Sequence, residues 1–285
     1  MRKTVYYQRE AADPILENSV ILDIVRRYAP EAEAVTHIDE SGGEGRVYAV
    51  DENIMLKVQR PHQLRSSTSL EKEAFFLKQL EKETDVNVPR VLGYGKDGTV
   101  EYLCITRIPG IAAEHTKLIG KKKNNFLHKL GKELRKIHSI NQKPFLESGL
   151  FPHDEPSELT ERLLLRYQSA LSKKKDIVRQ DKLDSALCEI QELLDNIQNA
   201  GEFVSLHINP YIPHVFVDEK TLEYSGIIDF GDSYIGHPIF DMWYWSVPSR
   251  KKLLSGYTSE KPVSTAFQTV FDTAVAISEI VNDVK

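Results

Sequence analysis

Cysteine is nearly absent from this sequence. Cys104 and Cys188 are the only two, and neither belongs to a CxxC pair or a Cys/His ladder. A disulfide framework and a structural zinc site are therefore excluded as sources of stability. An excess of basic residues is missing too: 37 Lys and Arg face 42 Asp and Glu, for a formal net charge of −5. Such a balance argues against a nucleic-acid-binding surface. No apolar run approaches the ~18–20 residues of a membrane span. The opening MRKTVYYQREAADP begins basic but develops no apolar signal stretch. A cytoplasmic protein with neither nucleic acid nor membrane as partner is expected. No fixed-period repeat or low-complexity tract is present, which removes solenoids and collagen-like arrays.

What is present describes a globular chain: 285 residues, 41% hydrophobic and 28% charged. That length allows one large domain or two smaller ones. Ile21, Ile24, Val25 and Tyr28 recur at helical spacing. Short strand-like runs follow at 35–38, 47–50 and 54–58, separated by a glycine-rich turn and by Asp51-Glu52-Asn53, as in an antiparallel meander. A helix is predicted from about Ser69, with Leu70, Ala74, Leu77 and Leu80 on one stripe and several N-cap candidates at 66–69. Two more strands are expected at 88–93 and 100–105 before Ile108-Pro109-Gly110 breaks the pattern. Beyond it, Leu127, Leu130, Leu134 and Ile137 mark one helix face. Further helical stripes run through Leu163 and Tyr167, through Leu183 to Ile197, and through Phe267 to Val281. Short strands return at 204–207, 215–218 and 224–229. The whole reads as an α+β, two-lobed chain: residues 1–107 form a small antiparallel-sheet lobe and residues 108–285 a larger, mainly helical one.

Several residues are of types that carry chemistry. Gly42, Gly43 and Gly45 lie between two strands, where backbone N–H groups can approach phosphate oxygens. Alone, a flexible hairpin turn is the favoured reading, for there is neither a GK[ST] nor a full GxGxxG. Lys57 sits inside the apolar run Ile54-Met55-Leu56-Lys57-Val58, where an ammonium group needs a partner unless it faces solvent. Glu73 borders the apolar stripe of the next helix and could be that partner. Taken singly, each also reads as an ordinary surface charge. The stronger signal is downstream: His207-Ile208-Asn209-Pro210-Tyr211-Ile212-Pro213-His214, then Ile227-Ile228-Asp229-Phe230-Gly231-Asp232. An apolar strand ending in Asp-Phe-Gly-Asp places a carboxylate where a phosphate-bound Mg²⁺ needs oxygen ligands.

In combination these segments resemble the aminoglycoside phosphotransferase and choline-kinase-like family, whose fold is related to that of protein kinases. The family carries HGDxxxxN, then IDFGD, then a segment like IGDPxxDL. This chain has His207 to His214, Ile228-Asp229-Phe230-Gly231-Asp232, and Ile235-Gly236-His237-Pro238-Ile239-Phe240-Asp241-Met242. Lys57 resembles the family's phosphate-binding lysine and Glu73 its helix partner. The segment 106–110, with Thr106 and Ile108, resembles the hinge that receives adenine, and Leu130 to His138 resembles the LGxxLxxLH helix. The similarity runs from roughly residue 20 to 245.

The resemblance implies a kinase-like phosphotransferase that uses ATP or GTP with Mg²⁺ or Mn²⁺ and phosphorylates a hydroxyl of a small molecule. Asp229 and His214 would hold the metal, and His207 would support the loop. Asp241 would pin the loop through backbone N–H groups. Asn209 stands where the family has its catalytic Asp, and an amide is no base at neutral pH. Asp232 and His207 are the nearest alternatives for a base. The competing reading is a pseudokinase that binds nucleotide and metal with little or no turnover. Acceptor recognition would lie in residues 141–200 and the C-terminal helices. There Glu147, Asp154, Glu155, Glu158 and Glu161 form either a field for a cationic substrate or a solvated helix start. Phe240, Trp243, Tyr244 and Trp245 read as core packing or as a pocket wall.

Overall fold

The computed structural model of the chain describes residues 13–60 and 69–284. The elements run α1 (Asn18–Val25), β1 (Val35–Asp39), β2 (Gly45–Val50), β3 (Ile54–Gln59), α2 (Leu70–Glu83), β4 (Val91–Asp97), β5 (Val100–Thr106) and β6 (Ile111–Ala112). The chain continues through α3 (Gly120–His138), α4 (Lys143–Ser148), α5 (Leu159–Ser172), α6 (Gln180–Asp195), β7 (Val204–Leu206), β8 (Val215–Val217) and β9 (Tyr224–Ile227). It closes with β10 (Tyr234–Gly236), α7 (Val247–Tyr257) and α8 (Thr265–Asp283). Two compact units result. The first takes in the chain up to Leu118 together with Asn209–Ser233, and the second holds Ile119–Ile208 and everything from Tyr234. The chain thus changes unit after Leu118, Ile208 and Ser233, where the sequence suggested one boundary after residue 107. The reason lies in strand pairing: β8 pairs antiparallel with both β6 and β9, which ties residues 215–227 to the sheet-bearing unit.

In the first unit the five-stranded sheet has the order β1-β2-β3-β5-β4, with every neighbouring pair antiparallel. The α2 excursion puts β4 at the edge, and the β4–β5 hairpin returns the chain beside β3. Alternation along the strands decides what each face holds. Tyr48, Val50, Leu56, Val58, Tyr102 and Cys104 share one buried face with Ile21, Ile24 and Val25 of α1. Lys57, between Leu56 and Val58, therefore belongs to the opposite face. Burial drives the Cys104 thiol up to about 12, so it is chemically quiet. Ser69 caps α2, its hydroxyl accepting the Lys72 N–H at 3.0 Å. Ser66, Ser67 and Thr68 lie outside the described residues.

In the second unit α3, α5, α6 and α8 follow the predicted stripes. α4, α7 and β10 have no counterpart in the sequence reading. The buried positions of α7 include Ser249, Arg250 and Gly256, so its helical period is not written in apolar residues. This helix meets α3 backbone to backbone. A Cβ on Gly131 would lie 2.0 Å from the Leu253 carbonyl oxygen, and one on Gly256 would lie 1.9 Å from that of His128. Gly131→Ala is accordingly expected to lower unfolding stability by at least about 1–3 kcal/mol, measurable by urea denaturation.

His237 is fully buried, stacked on Phe267 at 5.5 Å between ring centroids. Its Nδ1 accepts the Ile239 N–H at 3.1 Å. Burial, with a smaller contribution from His138, drives its pKa down to about 3. The unfolded chain therefore protonates this side chain first. Its contribution to stability is complete above the ordinary histidine value near 6.5 and is lost as pH falls towards 3. A His237→Asn variant should lose stability less steeply than the parent across that window, as read by denaturation midpoints at a series of pH values.

Candidate active site

One cationic side chain gathers the first unit's chemistry. The Lys57 ammonium, 15% exposed, lies 2.6 Å from Glu73 Oε2 and 2.8 Å from Asp229 Oδ1. Burial alone would lower its pKa, but the negative charges of Asp229 and Glu73 outweigh burial and hold it above the ordinary lysine value. Glu73 is 1% exposed on its side chain, and burial pushes its carboxyl up against the pull of Lys57. The β3 strand supplies the lysine and α2 the glutamate. Three residues along the same helix, Phe76 packs on Phe230 with ring centroids 4.8 Å apart. Thus α2 holds the 229–230 pair twice, once through Lys57 and once by direct apolar contact. Asp229 itself has φ 74°, a left-handed backbone that aspartate adopts at less cost than most residues.

The second oxygen of Asp229 faces His214, at 3.4 Å from Nε2. Nδ1 of His214 is 3.0 Å from the Asn209 carbonyl oxygen. A carbonyl only accepts, so Nδ1 carries a proton, and in the neutral form of the ring Nε2 holds the lone pair. That lone pair stands against a carboxylate oxygen, an arrangement that a cation relieves. Among the described residues no group of three or more His, Cys, Asp or Glu forms a closed metal cage. An open pair of donors suits an ion whose remaining ligands are phosphate oxygens and water. The carbonyl bond at Nδ1 is the outer support that metal-binding histidines usually have. His214 and Asp229 therefore fit a phosphate-bound divalent metal.

Asn209 and His214 lie in a tight turn. The Asn209 carbonyl also accepts the Tyr211 N–H at 2.8 Å, and the His214 N–H bonds the Tyr211 carbonyl at 2.8 Å. The His214 carbonyl then accepts from Ile228 N–H at 2.9 Å, which sets the turn beside the Asp229 strand. The residues just before this turn are held in the second unit. Asp241 accepts the His207 N–H at 2.9 Å and also the Ile208 N–H. Asp241 is in turn 2.9 Å from His138 Nε2, whose Nδ1 is 3.0 Å from the Tyr257 hydroxyl. Ile208 sits at φ 70°, a strained conformation for a β-branched residue. The side chain of His207 is fully buried.

The glycine-rich turn is braced by two buried arginines that sequence reasoning missed. Arg60 donates from Nε to the Gly42 carbonyl at 3.0 Å and from Nη2 to the Glu40 carbonyl at 3.1 Å. Arg46 pairs with Glu40 at 2.6 Å and with Asp13 at 3.2 Å, and Arg60 also pairs with Asp13. A Cβ on Gly42 would meet the Gly45 carbonyl oxygen at 2.5 Å, so this fold of the turn requires glycine there. The available signal was two arginines flanking β-patterned runs near acidic residues. Thr106 closes β5, where its N–H bonds the Arg90 carbonyl and its hydroxyl accepts the Arg90 N–H, both at 2.9 Å. Ile108 is buried. No bond of either residue to Lys57, Glu73 or Asp229 is present. The acidic group at 147–161 is not one field, since Asp154 is buried against Arg162 and Glu147 lies 3.6 Å from Lys143.

Residues 36–255 match the model of a phosphotransferase enzyme family. No curated protein matches the chain in sequence. Among solved structures, the chain resembles the GDP complex of aminoglycoside 2'-phosphotransferase-IIIa at 14% identity and TM-score 0.67, covering 94% of this chain and 90% of that one. It also resembles the streptomycin–ATP complex of APH(2")-IIa, at 18% identity and TM-score 0.60, over 94% and 91% of the two chains. The macrolide 2'-phosphotransferase MphH of Brachybacterium faecium shares 16% identity and TM-score 0.62 over 93% and 90%. At such identities the likeness establishes the two-lobed, kinase-like fold.

Lys57→Met should leave the Glu73 carboxylate buried without its counter-charge and cost about 3–5 kcal/mol of unfolding stability. The double variant Lys57→Met/Glu73→Gln should recover most of that loss in the same denaturation assay.

Proposed function

The chain belongs to the phosphotransferase enzyme family, and we propose that it transfers the terminal phosphoryl group of ATP or GTP to a hydroxyl of a small molecule. The observation that carries this reading is the Lys57 ammonium held between Glu73 and Asp229, with His214 on the far oxygen of Asp229. Glu73 fixes Lys57 so that its charge is available to phosphate oxygens. Backbone N–H groups around Gly42, Gly43 and Gly45 approach the same phosphates. Thr106 and Ile108 offer backbone groups to the base. The first unit is thus the nucleotide-binding part, and the helical unit selects the acceptor.

Mg²⁺ or Mn²⁺, held by Asp229 and His214, would neutralise charge on the transferring phosphoryl group. An imidazole nitrogen favours Mn²⁺ over Mg²⁺. Asn209 orients the acceptor hydroxyl by hydrogen bonding and accepts no proton. Phosphoryl transfer tolerates this because it depends mainly on positioning and charge stabilisation, with a loose transition state. The reading as a pseudokinase without turnover gains no support from the family or the neighbours. Among the described residues no helix is long and apolar enough to cross a membrane.

A thermal-shift titration with ATP and GTP, each with Mg²⁺, Mn²⁺ or EDTA, is expected to show metal-dependent stabilisation. Absence of any shift overturns the assignment. In a nucleotide-consumption assay, Asn209→Asp should raise turnover by roughly 10²–10⁴, the usual worth of a general base. An unchanged rate would show that Pro210 and Pro213 set a loop geometry in which a carboxylate cannot serve.

A further inference from the structure

We propose that the helical unit carries a recognition site for a hydroxy acid, built from Arg166, Tyr234 and Asp154 beside Trp243. That this molecule is the phosphate acceptor rests on the reading above; that the site takes an anion does not.

Its construction follows from one short pairing. Ile235 N–H donates to the Pro152 carbonyl at 2.8 Å, and Asp154 N–H donates to the Ile235 carbonyl at 2.9 Å. Asp154 is thereby set against β10, next to Tyr234. From α5, Arg162 and Arg166 project one turn apart on one face. Arg162 binds Asp154 Oδ1 at 2.7 Å, and its guanidinium lies 5.8 Å from the Tyr234 ring centroid. The other atoms are left without partners. Asp154 Oδ2 and the Tyr234 hydroxyl are both buried and unbonded. Asp154 as a whole is only 5% exposed. Buried polar atoms in this state are destabilising, and a bound ligand is one of the few things that explains them.

Arg166 is the third unmet group. Its guanidinium lies 4.6 Å from the Phe240 ring centroid and 5.3 Å from that of Trp243. Among the described residues it makes no hydrogen bond and no ion pair. Arg250, which lies 5.2 Å from the same Trp243 ring, shows the contrast. It donates to the carbonyls of Trp243 and Trp245 and to the Ser278 hydroxyl, each at 2.8 Å. Burial of Arg250 is fully satisfied internally, whereas Arg166 is stacked and half-buried with its donors unused.

The charges fit an anion. Two guanidinium groups bear on one buried carboxylate, Arg162 by direct contact and Arg166 through its charge. Glu158, the other acid that bears on Asp154, has an oxygen accepting the Glu155 N–H at 3.1 Å. His153 is drawn to the exposed Glu155, at 3.5 Å. The Arg166 fork matches a carboxylate, and the Tyr234 hydroxyl is a further donor to it. Asp154 Oδ2 accepts from a ligand hydroxyl, and Trp243 and the half-exposed Tyr244 offer an apolar side. A polycation would meet Arg162 and Arg166, and the buried carboxylate is already held by Arg162. As acceptor, the hydroxy acid gains the γ-phosphoryl at its hydroxyl oxygen as the bond from the γ-phosphorus to the bridging oxygen breaks. The hydroxyl proton goes to water, and the nucleoside diphosphate leaves.

The test is calorimetric titration of the full chain with two shape-matched probes of opposite charge, para-hydroxymethylbenzoate and para-hydroxymethylbenzylamine. The benzoate should bind at least roughly tenfold more tightly than the amine. Arg166→Gln should abolish that preference. Tyr234→Phe, which removes one oxygen from an otherwise unchanged ring, should weaken the benzoate several-fold. Both variants should keep the parent's thermal shift with ATP or GTP. Equal or tighter binding of the amine, benzoate affinity unmoved by both substitutions, or no benzoate binding at about 10 mM overturns the proposal. The nucleotide shift is read separately. Benzoate binding without any nucleotide shift would remove the kinase reading and leave the anion site, and the reverse result would remove this site alone.

Discussion

A buried ammonium group cannot be left to itself, and the sheet-bearing unit is arranged around that constraint. Lys57 lies inside an apolar strand, so it needs carboxylates on its own face of the sheet. The first comes from α2 and requires that helix to lie with Glu73 inward. The second comes from far along the chain, from the segment 209–233 that belongs to the same unit. Phe76 and Phe230 give that meeting an apolar anchor, so the ion pair is not alone in holding it. The cost of desolvating the charges is offset only because three groups share the site.

Much of this was legible because its signals are local. Alternation around Lys57 announced β3, the stripe beginning at Leu70 announced α2, and the run into Asp229 announced a strand ending in a carboxylate. The resemblance then supplied an order in which these pieces made sense together. The parts that escaped are those whose evidence lies in three dimensions. α7 buries serine, arginine and glycine rather than an apolar stripe. β10 is three residues long and is defined by its pairing with β7. Arg46 and Arg60 look like surface charges until the turn they brace is folded over them. The assignment of residues 209–233 to the first unit depends on β8 pairing with β6, which no local pattern encodes.

The two units handle polar burial differently. In the first, the charges around Lys57 and the arginines beneath the glycine-rich turn are compensated by carboxylates and carbonyl groups. In the second, His138, Asp241 and Tyr257 form a closed relay that ends on backbone N–H groups of the loop. The exceptions stand out against that background. In the second unit Asp154 Oδ2, the Tyr234 hydroxyl and His237 Nε2 are buried and unbonded, and the first two share their surroundings with Arg166, whose donors are also unused.

Ile208 adds a different kind of consequence. Its left-handed backbone is unfavourable by about 1–2 kcal/mol, and its N–H is held by Asp241 immediately before Asn209. A residue so placed fixes the path of the loop at a cost in local stability. Glycine would relieve the local strain and let the neighbouring amide wander. Screens that reward thermal tolerance alone would be drawn to this position, at the expense of the loop geometry that it fixes.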